Sequence, residues 1–199
     1  MNAASMYGLF AQGVIVAAAV CAVALRHRGP CPRPMRQVMV LALSVLAVLL
    51  VPMDGVSIAC HLRGLWGDPS VVTLGVLLLH VLRPSALPAW PDHRLCALLT
   101  VLVTLPLYAP LFLPVPMVTW DLYTLGLQPW VLLAALAITA VLLRRRAGGP
   151  WTALVGVALL AWAAGLMESD NLWDYLADPV LLLAMAFAGF TGIWTSLHR

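Results

Sequence analysis

Pro129–Arg146 reads P-W-V-L-L-A-A-L-A-I-T-A-V-L-L-R-R-R, an apolar run interrupted only by Thr139 and closed by Arg144, Arg145 and Arg146. An aromatic residue at one end, uncharged helix-forming residues between, and a basic stop at the other describe a membrane span with a cytoplasmic flank. Composition agrees. The 199 residues are 63% hydrophobic and 10% charged, whereas about 25% of a soluble domain is charged; mean hydropathy is +0.98. Eleven Arg, eight acidic residues and no Lys are too few to cover a soluble surface of this size. The expected fold class is therefore an all-α polytopic membrane protein, residues 1–199 forming one transmembrane helical domain.

Outward from that run, six more spans are expected, against the roughly 20 apolar residues that cross about 30 Å of hydrocarbon. Towards the carboxyl end they fall at about 151–166, after Gly148-Gly149-Pro150, and about 179–197, closed by His198 and Arg199. Towards the amino end they fall at about 95–113, 69–83, 37–53 and 6–25. The 95–113 span ends in Pro106, Pro110 and Pro114 and should kink there. The 69–83 span is the shortest, with Asp68 expected as its N-cap and Pro69 at its first position. Between the second and third spans, about 55–67 reads as a short interfacial helix. No basic residue precedes the first apolar run, so the first helix is expected to be retained rather than cleaved.

Charge sorting fixes the expected orientation, because basic residues of short loops collect on the cytoplasmic side. With seven spans and the amino terminus outside, ten of the eleven arginines lie inside and only Arg63 lies outside. The acidic residues sort oppositely: Asp54, Asp68, Asp121, Glu168, Asp170, Asp174 and Asp178 fall outside, and Asp92 alone inside. The expected location is a cell inner membrane, multi-pass, with the acidic face periplasmic and the carboxyl terminus cytoplasmic. Cys21, Cys31 and Cys96 fall in the membrane or on the reducing side and Cys60 outside, so no intramolecular disulfide is expected.

The acidic face is densest in Met167–Pro179, M-E-S-D-N-L-W-D-Y-L-A-D-P, which holds half of the acidic residues. A continuous helix from Asp170 would stack Asp170, Asp174 and Asp178 at i, i+4 and i+8, an unfavourable like-charge spacing. The alternative is a short helix carrying Asp170 and Asp174, then a span capped by Asp178 with Pro179 at its first position. Together with Asp54, His61, Arg63, Asp68, Asp121, Glu168 and Asn171, these residues form the candidate polar site.

Each has a bland use beside a functional one. Acidic groups in outer loops do not disturb insertion, Asp68 and Asp170 have ready jobs as caps, and the tryptophans suit an aromatic belt. No cofactor is expected, although oxygen ligands of this kind suit a divalent cation. His80 lacks a second axial residue for a haem, and no zinc or nucleotide-binding motif is present. The spread of arginines over short loops argues against nucleic acid. Expected partners are the lipid bilayer and other membrane subunits or a lipid-linked substrate. Three functions stay open. The first is an accessory or assembly subunit that docks a partner or binds a cation. The second is a small transporter or ion-conducting protein using Asp174 and Asp178. The third is an intramembrane enzyme acting on a lipid-linked substrate, with Asp54, His61 and Asp121 or Asp170 as its polar set and Arg63 holding a phosphate.

Overall fold

The computed structural model describes residues 2–28, 34–82, 122–143 and 149–186. The expected span at 95–113, Asp121 and most inner-loop arginines lie outside them. The described chain is mainly helical, as its composition requires.

Helices α1 (Ala3–Arg28) and α2 (Pro34–Leu50) form a hairpin. They meet closely at Gly13, where a Cβ would lie 2.7 Å from the Val45 Cα. Pro52 follows α2, and a two-stranded antiparallel ribbon pairs Pro52 with Ser57 and Met53 with Val56. Its turn is Asp54-Gly55, with φ of 52° and 80°, the left-handed pair that a two-residue hairpin turn demands and that Asp-Gly supplies at low cost. Helix α3 (Ile58–Trp66) begins at Ser57, whose side chain accepts the Cys60 N–H, and ends at Gly67 with φ 79°. A helix is thus present where the interfacial one is expected, but it is shorter, because the Asp-Gly turn claims the first residues.

Helix α4 (Val71–Leu82) lies within the residues of the expected third span, but its cap is not the expected Asp68. Ser70 Oγ accepts the Thr73 N–H at 3.1 Å, while Asp68 is turned to Arg63. Residues 122–129 form a turn with one 3₁₀ segment, Thr124–Gly126, leading into α5 (Trp130–Leu143). Helix α6 (Gly149–Ala163) closes through Gly165, φ 60°. There Leu166 N–H bonds Ala161 O and Gly165 N–H bonds Trp162 O, the paired bonds by which a left-handed glycine terminates a helix. Helix α7 (Leu172–Leu176) is one short piece capped by Asn171, and helix α8 occupies 179–186. A continuous helix through Asp170, Asp174 and Asp178 is not formed. Ala177 and Asp178 separate α7 from α8, and of the three carboxylates only Asp174 lies within a helix.

Among the described residues, one stretch, Ala3–Val23, is long and apolar enough to cross a bilayer; Met35–Leu50, Val71–Leu82 and Trp151–Ala163 are apolar but shorter. At 1.5 Å per residue, the 12 residues of α4 reach about 18 Å. The core lies between α1, α4, α6 and α7, with Tyr7, Val14, Val72, Leu74, Ala158 and Tyr175 buried at its centre. Leu132 brings α5 into the same cluster.

Candidate functional site

Four stretches distant in sequence meet at one end of the helices: the start of α1, the link from α3 to α4, the 122–129 turn, and the loop from α6 through α7. Side chains make the polar links between them described below. Tyr7 Oη donates to Pro69 O at 2.7 Å. The fully buried Gln12 accepts from Trp66 Nε1 at 2.9 Å and donates to Gly67 O at 3.0 Å, so both faces of its amide are used and the end of α3 is fastened to α1. Arg63 donates to both oxygens of Asp68, at 2.7 and 2.8 Å, and its Nη2 lies 3.0 Å from Glu168 Oε1. The hydrogen-bonded Asp68 first, and Glu168 after it, push the Arg63 pKa above its already high ordinary value against the opposing effect of burial. The guanidinium is a fixed positive charge.

The pair rests on α1 where no side chain intervenes. A Cβ on Gly8 would lie 2.3 Å from Asp68 Oδ1 and 2.7 Å from Arg63 Nε. Asp178 is 5% exposed and joins two helix starts. One oxygen accepts the Ser70 N–H at 2.6 Å and the other the Leu181 N–H at 2.8 Å, each an otherwise orphaned donor at a helix N-terminus. Asp174 accepts from Tyr123 Oη at 3.0 Å and from Ser169 Oγ. Asn171 caps α7 through the Trp173 N–H and donates to Tyr123 O, both at 3.0 Å. Trp173 Nε1 reaches Leu122 O at 2.9 Å. The Met167 N–H donates to the hydroxyl of the fully buried Tyr175 at 2.9 Å.

These contacts frame a cleft of about 300 Å³. Asp68, Glu168, Asp174 and Asp178 line it with Ser169, and Trp66, Met167, Ala177 and Pro179 supply the apolar walls. Of the ten residues singled out from the sequence, four therefore line the cleft, and Arg63 binds two of those four. Asn171 supports the cleft through α7. Asp170 offers its backbone carbonyl to Trp162 Nε1 at 3.0 Å and is not the α7 cap. Asp54 and His61 belong to the ribbon instead: Asp54 occupies the tight turn, and the His61 ring meets Met53 O at 2.8 Å. Neither lines the cleft. Asp121 lies outside the described residues.

Gln12, Tyr7, Gly8, Ser169 and Tyr123 complete the site and were not singled out from the sequence. A lone Gln inside an apolar span was a readable signal, since an amide buried without partners is costly. Gly8 carried none, because its role depends on what packs against it. Among the described residues no group of three or more His, Cys, Asp or Glu side chains is arranged to hold a metal ion. The carboxyl groups line a common space without converging on one point. Compared with protein-family models, curated proteins and solved structures, the chain matches none.

Proposed function

We propose that this chain is a polytopic helical protein of a cell inner membrane, amino terminus outside, whose carboxyl-lined cleft at the outer end receives a cationic group. The ligand is the Lys or Arg side chain of a partner membrane subunit, and the protein acts as an accessory or assembly factor. One observation carries this: two segments that charge sorting assigns to the outer side, the α3–α4 link and the stretch from the end of α6 to the start of α8, line a single cleft with four carboxyl groups, two of which bind the Arg63 guanidinium. Four negative groups less one positive leave an excess of three. Trp66 in the wall suits a cation that also presents an aliphatic stem.

The membrane location draws support from the outward faces. Met35, Leu43 and Leu160 are 74%, 62% and 73% exposed. Continuous apolar faces of this kind are a liability in water and ordinary in lipid. The ribbon and α3 add exposed Met53, Val56 and Leu65, as an interfacial element would.

Conduction through Asp174 and Asp178 draws less support, since both carboxyl groups are engaged by hydroxyl or backbone donors that a passing ion would have to displace. Catalysis on a phosphate-bearing lipid draws less still. Arg63 is neutralised by two carboxylates, and Asp54 and His61 stand away from the cleft lining.

The test uses Ala177→Cys, a position in the cleft wall, in a background with the four native cysteines replaced by alanine. A cationic methanethiosulfonate should modify it several-fold faster than a neutral one at low salt. Asp174→Asn and added salt should both reduce that ratio. A ratio of one at low salt would sink the proposal.

A further inference from the structure

Asp68 and Glu168 line the cleft from different parts of the chain, Asp68 at the α3–α4 link and Glu168 on the loop after α6, and Arg63 joins them. The two halves of this bridge are unequal. Towards Asp68 the contact is bidentate, and the pair sits on the bare backbone of Gly8. The same end of α3 is held again by Gln12 through Trp66 and Gly67. Arg63 therefore cannot leave Asp68 without disturbing α1. Towards Glu168 there is one contact of 3.0 Å, and that side chain is 55% exposed. The backbone on either side of Glu168 is tied down, at Met167 by Tyr175 and at Asp170 by Trp162, so the free movement is that of the Glu168 side chain. Its other contact, from Ser5 Oγ, is 3.4 Å long.

We propose that the Arg63–Glu168 ion pair is the latch of the cleft. Arg63 is the fixed half and Glu168 the moving half. When the pair parts, the Glu168 side chain swings to water and the cleft widens, and an incoming cation opens the latch by competing with Arg63 for Glu168. This regulation rests on the cleft being a cation site. The asymmetry sets its scale: an exposed single-contact pair shifts an equilibrium by about two- to five-fold, enough to gate access without locking the site.

The experiment uses the same Ala177→Cys reporter with a neutral thiol reagent, each rate being divided by the reporter's thiolate fraction, taken from its pH–rate profile, so that it reports access and not local charge. Glu168→Gln preserves side-chain volume and removes the charge, so modification should accelerate about two- to five-fold at low salt. In the parent, raising salt should screen the pair and bring the rate up towards that of the variant. In Glu168→Gln, salt should have little effect. Equal neutral-reagent rates in parent and variant, or a slower variant, would overturn the latch. If Glu168→Gln does not fold, the salt series in the parent decides, a flat rate being the overturning result. The cationic-to-neutral rate ratio judges the cation site separately. A high ratio with no effect of Glu168 removes the latch and leaves the site; a ratio of one removes the site itself.

Discussion

Asp178 concentrates the residue-scale physics of this protein. A carboxylate 5% exposed is costly to bury unless it is fully hydrogen-bonded, and here each oxygen takes one backbone N–H from the start of a different helix. Asp178→Asn offers only one acceptor oxygen and turns an amide N–H₂ towards the other donor. The expected loss is about 1–3 kcal/mol, the cost of leaving one buried donor unmade. It is read as a lower unfolding temperature in mild detergent. The decisive comparison is Asp174→Asn, whose partners, the exposed Tyr123 and the half-buried Ser169, are hydroxyls that can rotate to suit; it should cost distinctly less. Equal losses would mean that the double cap is not what makes Asp178 matter. Half of this was legible in the sequence. The cap on α8 follows from Asp-Pro at a helix start, a local pattern; the bond to Ser70 spans 108 residues, and no local pattern announces it.

Among the elements, close approach is bought by glycine at chosen points and not elsewhere. A Cβ at Gly13 would meet the Val45 Cα at 2.7 Å, backbone that can move only by spreading α1 from α2. Gly156 in α6 has nothing within 4 Å of such a Cβ. Gly13→Ala should therefore cost about 1–3 kcal/mol as overpacking, whereas Gly156→Ala should be neutral or stabilising by up to about 1 kcal/mol through helix propensity. Melting curves of the two variants in one detergent check this, and a reversed order would refute the packing of α1 on α2. Helix positions were readable because apolar runs and prolines are local features. Element boundaries were less so. Asp68 had the right chemistry and spacing to cap α4, but Arg63, five residues earlier, is the stronger partner, and Ser70 took the cap instead. Likewise the expected interfacial helix starts at about 55, whereas Asp54-Gly55 is a hairpin turn signal and forms that turn.

At the scale of the whole molecule, the start of α1, the α3–α4 link, the 122–129 turn and the α6–α7 loop lie together at one end, and the proposed topology, which assigns that end to the outside, can be tested. In intact cells a membrane-impermeant maleimide should label Cys60 on exposed α3, and should label a cysteine placed by His198→Cys only after the membrane is permeabilised. Labelling of both positions in intact cells would contradict the proposed orientation. The expected orientation comes from charge sorting, since insertion acts on loop charge and not on packing.

What the sequence determined by itself was the mainly helical class, from composition and the length of its apolar runs; the sorting of acidic groups to one side, from their alternation with the arginines, is part of the proposed topology. Both follow from summed, short-range properties of the chain. Only the tertiary structure decided which acidic groups share a cleft. Asp68, Glu168, Asp174 and Asp178 come together, and Asp54 and His61 do not, because helix rotation and depth are set by buried contacts such as Gln12 with Trp66 and Tyr7 with Pro69. Those contacts join residues 54 and 62 positions apart, and their geometry exists only once the helices have packed.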